Sequence, residues 1–290
     1  MSCSGHQSSH GLSAYESSDG LGRVIVVRGL LKSSVRGERI LLGTLNFSRD
    51  PAVVEVMGHA GLDFVVIDLE HGALDLREVE ENIRAADAVG LAPLVRLGER
   101  APTLISRVLD IGAQGLVVPH VSSGRDAAAV VSMTRYPPDG QRPTCTGVRC
   151  VAYGAKNYAA HVAASNESLM VLAMIEDDEG VQNIGEIVQV PGIDGIIPGP
   201  GDLATTLGVP GQFHHPRVQA AVEKIIHTAQ TSDAVVGIYI TDVEEIDHWK
   251  ARGIRLFIYS IDFKVALKGY SEAVARLDLY RNPVGAKPAM

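Results

Sequence analysis

Cysteine is scarce: the 290-residue chain holds three, Cys3, Cys145 and Cys150, and no CxxC. A disulfide scaffold and a thiolate zinc cluster are therefore excluded, and a reducing, cytoplasmic setting is expected. No apolar run approaches the ~18 residues of a membrane span, so no membrane partner is expected. The longest runs, such as Val24 to Val27 and Leu116 to Val118, are strand-sized. Residues 1–22 are rich in Ser, Gly and His and lack the apolar stretch of a secretory signal. Positive charge is in deficit: 26 Lys plus Arg against 34 Asp plus Glu leave a net −8, with no basic run. A phosphate backbone finds no footprint in such a chain, so nucleic acid is not expected as a partner. No GxGxxG follows a strand and no GxxxxGK[ST] occurs, which removes the main support for nucleotide binding. Aromatics reach only 5%, whereas there are 30 glycines and 46% hydrophobic residues. Tight turns around a core of small aliphatic side chains account for that pairing, and global disorder does not.

What is present is a rhythm. From about residue 40, short Val- and Ile-rich runs alternate with longer amphipathic stretches, the mark of βα units and a parallel sheet. Eight runs qualify as strands: Ile40 to Phe47, Asp63 to Leu69, Ala92 to Leu97, Gly115 to Val118, Leu169 to Ile175, Ile193 to Pro198, Ala234 to Ile240 and Ile254 to Tyr259. Helices are expected from Pro51, over Leu76 to Val89, Pro102 to Ile111, Arg125 to Thr134, Gly180 to Val188, Pro216 to Thr231, Val243 to Arg252 and Lys264 to Leu277. Eight βα units fit a single (β/α)8 TIM barrel better than a doubly wound sheet. The expected division is a flexible N-terminal arm over 1–30, the barrel over 31–278 and a tail over 279–290. One connection breaks the rhythm: Tyr136 to Ser168, between the fourth and fifth strands, is long and opens with Pro137-Pro138-Asp139-Gly140. A connection of that length reads as a functional lid or an interface segment.

Barrels of this kind carry their sites at the C-terminal ends of the strands. Strand two ends in Asp68-Leu69-Glu70-His71-Gly72, strand three in Arg96, strand four in Pro119-His120, strand five in Glu176 and strand six in Gly199-Pro200-Gly201-Asp202. Glu176 and Asp202, on adjacent strands, would repel each other without a cation between them. Two carboxylate ligands suit Mg²⁺ or a similar hard ion, with positions left for water and substrate. The alternative is that each caps the helix after it. Arg96 closes an apolar strand and needs an anionic partner, either a structural carboxylate or a substrate carboxylate or enolate. His71 is a candidate general base or a hydrogen-bonded structural residue, and His120 has similar standing. The glycine turn at Gly199 to Gly201 lets backbone N–H groups approach a carboxylate at a helix start. A metal beside such a turn suits a 2-oxo acid.

These segments resemble the HpcH/HpaI aldolase and citrate lyase family of metal-dependent pyruvate aldolases. The resemblance rests on Gly43-Thr44, Phe64 to Gly72, Pro93 to Arg96, Leu109 to Ala113, Val118 to Val121, Arg135 to Pro138, Ile175-Glu176 and Gly199 to Leu203. It implies a barrel whose last helix is exchanged between subunits of a homo-oligomer, a hexamer or trimer. It implies Mg²⁺, Mn²⁺ or Co²⁺ on Glu176 and Asp202, and Arg96 on the enolate and carbonyl oxygen. It further implies His71 as acid and base, Asp110 tuning that histidine across a subunit boundary, and Asp68 supporting the local network. Gly201 and Asp202 would hold the pyruvate carboxylate, with Glu70 and His120 also on the substrate. The implied reaction cleaves or forms the C–C bond of a 4-hydroxy-2-oxo acid, giving a 2-oxo acid and an aldehyde. A macrophomate-synthase-like oxaloacetate decarboxylase and a keto-acid-binding barrel without turnover are the competing expectations. The chain departs from the family at Met174, where Gln is frequent, at Leu45-Asn46, and over Pro137 to Cys150; these positions are expected to line the acceptor.

Overall fold

The computed structural model describes residues 31–281, so the expected N-terminal arm and most of the expected tail lie outside the described residues. Eight parallel strands close into a barrel in chain order: β1 (Leu41–Asn46), β2 (Phe64–Asp68), β3 (Ala92–Arg96), β4 (Gly115–Val118), β5 (Met170–Ile175), β6 (Gly195–Pro198), β7 (Val235–Ile240) and β8 (Leu256–Ile261). β1 pairs with both β2 and β8, so no edge is left. Crossover helices cover the outside: α2 (Pro51–His59), α3 (Leu76–Ala88), α4 (Pro102–Asp110), α5 (Gly124–Thr134), α7 (Asp178–Gln182), α8 (Ile184–Ile187), α10 (Pro216–Ala229) and α11 (Glu245–Lys250). The predicted helix over 180–188 is broken at Asn183 into α7 and α8, while α12 (Asp262–Arg281) runs beyond its predicted end.

Local chemistry starts the helices where the sequence places them. Pro51 occupies the first turn of α2 behind the Asp50 cap, where its missing N–H costs nothing. Asp75 and Glu78 form a reciprocal capping box at α3, Asp75 accepting from Glu78 N and Glu78 accepting from Asp75 N.

Strand side chains alternate, and in a closed barrel one set points inward. Leu41 and Leu45, Phe64 and Val66, Ala92 and Leu94, Met170, Leu172 and Met174, and Leu256 and Ile258 form the inner core. Gly43 makes room for the largest of them: a Cβ there would lie 2.4 Å from the Phe64 ring. Full burial of that ring contributes about 2–3 kcal/mol. A short helix, α1 (Leu31–Ser34), lies against the inner core through Leu31, with Val35 beside it. Asp194, before β6, meets Lys32 at 3.0 Å and accepts from Val171 N at 2.9 Å.

The long connection carries two further elements, a 3-10 turn over Arg149–Gly154 and α6 (Tyr158–Ser168). It leaves the C-terminal end of α5 and returns to the start of β5, so it belongs to the N-terminal end of the barrel. Arg142 pairs with Asp110, the last residue of α4, at 2.8 Å, and Arg149 pairs with Asp87 near the end of α3 at 2.7 Å. A lid over the chain's own strand ends is thereby excluded. The stretch from Pro137 to Cys150 does not line the acceptor within this chain either, because α4 and α5 run antiparallel to their strands and carry it to the opposite end. Met174 and Leu45 sit in the inner core.

Candidate active site

The inward periodicity of β2, β3 and β5 continues one step past the apolar core. Phe64 and Val66 are followed by Asp68, Ala92 and Leu94 by Arg96, and Met170, Leu172 and Met174 by Glu176. The same alternation that packs the core therefore lifts two carboxylates and a guanidinium into the interior at the C-terminal end. Exposure is 0% for Asp68, 7% for Arg96 and 2% for Glu176.

Asp68 anchors the cluster. Its Oδ1 accepts the backbone N–H groups of Glu70 (2.8 Å) and His71 (3.0 Å), shaping the loop that carries both. Its Oδ2 accepts from Arg96 Nε at 2.9 Å and also pairs with Nη2. Arg96 Nη1 reaches Glu70 Oε2 at 3.1 Å. Arg96 thus meets two carboxylates of its own chain: it hydrogen-bonds Asp68 through Nε and Nη2 and pairs with Glu70 through Nη1, leaving donors for an incoming oxyanion.

Glu70 extends the network. Its Oε1 lies 3.3 Å from His120 Nε2, and its Oε2 lies 4.0 Å from His71 Nε2. His120 stands at a left-handed φ of 54°, uncommon for a non-glycine residue. That turn aims its backbone N–H at Glu176 Oε2 (2.8 Å) and brings its Nδ1 to 3.3 Å from the same oxygen. The His71 side chain is open to solvent.

Glu176 does not cap a helix: Asp177 caps α7, accepting from Gly180 N at 2.6 Å and from Ser122 Oγ at 2.6 Å. Asp202 lies in the first turn of α9 (Pro200–Thr206), where no side-chain cap bond is made. Burial raises the Glu176 carboxyl above its ordinary range, and the charges of Glu70 and Asp202 push it further in that direction, against the His120 N–H and imidazole. A cation beside Glu176 would relieve that repulsion. Gly199 makes the cradle: a Cβ there would lie 2.6 Å from Glu176 Cγ and 3.0 Å from Oε1. Oxygen donors and the absence of a thiolate fit a hard divalent ion on Glu176 and Asp202. Among the described residues, no group of three or more His, Cys, Asp or Glu side chains is placed to hold a metal ion, so the chain would supply two ligands. Coordination positions would therefore remain for water and substrate.

Asp110 stands apart. It ends α4 at the opposite end of the barrel, paired with Arg142, which stacks on Tyr136 at 4.4 Å. Spacing gave no sign of Arg49 or of the Ser122 to Asp177 contact. Arg49 follows β1 at the C-terminal end, so the strand-end rule that selected Arg96 would have selected it too.

Residues 45–268 match the family model of the HpcH/HpaI aldolase/citrate lyase proteins. The chain is 32% identical over 250 residues to the hydroxypyruvate/pyruvate aldolase of Paraburkholderia phytofirmans, covering 84% of this chain and 95% of that one. It is 34% identical over 207 residues to the 5-keto-4-deoxy-D-glucarate aldolase of Escherichia coli, covering 71% and 80% respectively. A solved HpcH/HpaI family protein from Burkholderia cenocepacia superposes with a TM-score of 0.82 at 32% identity, over 86% of this chain and 99% of that one. By sequence and by fold, the chain belongs to the HpcH/HpaI aldolase/citrate lyase family.

Proposed function

We propose that this carbon–carbon lyase acts as a divalent-metal-dependent aldolase on a 4-hydroxy-2-oxo acid, releasing pyruvate or a close relative and an aldehyde. The observation that carries the reading is the shared inward face of Asp68, Arg96 and Glu176, joined through Glu70 and His120. Mg²⁺ is the favoured ion on Glu176 and Asp202, with Mn²⁺ or Co²⁺ as alternatives. When bound, it supplies Lewis-acid polarisation of the 2-oxo group.

The chain's own residues account for the proton and charge movements. His71 accepts the proton of the substrate's 4-hydroxyl; the C3–C4 bond breaks, the aldehyde leaves, and the electron pair passes to the C2 oxygen as an enolate. Arg96, fixed by Asp68 and Glu70, offers its remaining N–H groups to that oxygen. Protonation at C3 completes pyruvate, and addition runs the same path in reverse. The N–H groups at Gly201 and Asp202 open α9 and are assigned to the pyruvate carboxylate, with Glu70 and His120 bordering the substrate. Asp110 is assigned to His71 of a neighbouring copy, because within its own chain it lies at the far end of the barrel.

A homo-oligomer, a hexamer or trimer, is part of the same reading. α12 carries exposed Leu267, Tyr270 and Val274 and touches β1 and β8 of its own barrel, which supports exchange of this helix between copies. No helix among the described residues is long and apolar enough to cross a membrane. Neither Cys145 nor Cys150 forms a disulfide among the described residues, in keeping with a cytoplasmic setting.

Cleavage of a 4-hydroxy-2-oxo acid, followed as pyruvate release with Mg²⁺ and with EDTA, tests the reading. Oxaloacetate decarboxylation measured alongside separates it from the macrophomate-synthase-like alternative. Turnover that persists unchanged in EDTA would overturn both.

A further inference from the structure

One cluster of reactive side chains takes no part in the chemistry above. Cys150 sits on the 3-10 turn of the long connection, at the N-terminal end of the barrel, and is 7% exposed. Its Sγ lies 3.7 Å from His161 Nε2 on α6 and 3.9 Å from Arg142 Nη2.

The turn is held firmly. Arg149 donates to the Ile111 carbonyl at 2.9 Å and to Asp87 at 2.7 Å, and Lys156 Nζ donates to the Cys150 carbonyl at 3.1 Å. Ala152, Tyr153 and Gly154 follow with φ of 51°, 56° and 95°. Left-handed backbone at the first two is unfavourable, and it persists because the surroundings enforce it.

Donors crowd this region. Arg142 is buried, with its Cζ 4.4 Å from the centre of the Tyr136 ring, Nη1 3.3 Å from Ser165 Oγ and Nη2 2.8 Å from Asp110 Oδ1. The Tyr136 ring meets Tyr158 edge-on at 6.1 Å and His161 at 5.9 Å. Arg142 Nε and the hydroxyls of Tyr136 and Tyr158 are buried without a hydrogen-bond partner among the described residues. Burial raises the Tyr136 hydroxyl above its ordinary range; Arg142 opposes this, while Cys150, Tyr158 and Asp110 add to it, so the hydroxyl stays a donor. A buried donor without an acceptor is costly, and an oxygen added to the Cys150 sulfur would bring an acceptor among them.

We propose that Cys150 is a peroxide-reactive thiol whose sulfenic acid competes with Asp110 for Arg142. The sulfur attacks one oxygen of a hydroperoxide. The S–O bond forms as the O–O bond breaks, sulfur gives up two electrons, and the peroxide is reduced to water or an alcohol. His161 Nε2 takes the thiol proton and passes it to the leaving oxygen, while Arg142 steadies the negative charge that develops on sulfur. The new oxygen then accepts from Arg142 Nη2, the group that holds Asp110 Oδ1. Asp110 is released, and on the aldolase reading above, on which this step rests, it serves His71 of a neighbouring copy. Oxidation therefore lowers turnover, and a small thiol restores it through a mixed disulfide.

Hydrogen peroxide followed by dimedone, which traps sulfenic acids, tests the assignment on the full-length protein by peptide mass spectrometry. Cys150 should take the label ahead of Cys145, although Cys145 is exposed. His161→Asn should slow that labelling by about tenfold, as loss of a proton acceptor does. Peroxide-treated native protein should lose most of its metal-dependent cleavage of a 4-hydroxy-2-oxo acid and regain it with dithiothreitol when dimedone is omitted. Cys150→Ser should keep its activity through the same treatment, and Cys145→Ser should lose it as the native protein does. Label on Cys145 first, or inhibition that survives Cys150→Ser, overturns the proposal. Label on Cys150 with turnover unchanged overturns the competition for Arg142. An untreated protein without metal-dependent turnover overturns the aldolase reading instead, since the labelling is read without any activity.

Discussion

The backbone N–H of His120 donates to Glu176 Oε2 over 2.8 Å, from a residue held at a left-handed φ of 54°. The buried carboxylate assigned to the metal is thereby oriented by the neighbouring strand before any ion arrives. The second face of Glu176 is kept clear by Gly199, which has no side chain to fill it.

Replacing Glu176 by Gln, or Asp202 by Asn, should remove metal-dependent turnover while preserving the barrel. Glu176→Gln takes a repelled charge out of the interior, so the metal-free variant should melt at or above the native temperature. Calorimetric Mg²⁺ titration and a thermal melt check both halves; undiminished metal affinity in either variant would remove the metal assignment.

The raised Glu176 carboxyl makes the metal-free protein pH-sensitive. Glu176 holds its proton to higher pH in the folded state than in the unfolded chain. Its contribution to stability is therefore complete below the ordinary carboxylate range and is lost as pH rises through the raised value. Mg²⁺ should reverse this, since it needs the ionised form, and its affinity should fall as pH drops through the same window. Melting temperature against pH, with Mg²⁺ and with EDTA, should give opposite slopes there.

Arg96→Ala should be costly twice. It leaves Asp68, fully buried, with only backbone partners, a loss of about 3–5 kcal/mol. It also removes an oxyanion donor, lowering kcat by about 10²–10³-fold. Arg96→Lys should recover part of the stability but little of the rate, because a single ammonium cannot reach Asp68 and Glu70 as the fork does. Urea unfolding beside steady-state kinetics separates the two effects.

His71→Asn should slow aldol cleavage by about 10²–10⁴-fold. Oxaloacetate decarboxylation needs no proton taken from a hydroxyl and should suffer less. Equal losses in both reactions would argue against His71 as the base.

Leu267→Ser combined with Tyr270→Ser removes two exposed apolar side chains from α12. Light scattering should show a smaller assembly with the barrel's circular dichroism unchanged; an unaltered mass would move the subunit interface elsewhere.

Much of the barrel was legible because its determinants are local. Alternating Val and Ile runs at regular intervals call for parallel strands, and Pro51 and the Asp75–Glu78 box mark helix starts that the structure keeps. The strand-end rule reached Asp68, Glu70, His71, Arg96, His120 and Glu176, since a period of two carries the inward face one residue beyond the core. Where α6 lies was not legible: its residues have no apolar face, none is buried, and it is placed by what surrounds it.

By itself the sequence determined the eight βα units, their order, and the polar residues that end strands two to six, because alternation and helix starts act between near neighbours. Tertiary structure alone decided which of those residues meet. Barrel closure brings Glu70 to His120 and Arg96, Gly199 against Glu176, and Arg49 to Ala73. It carried Asp110 and the long connection to the other end, because the direction of a helix relative to its strand is set by chain crossover and not by residue type.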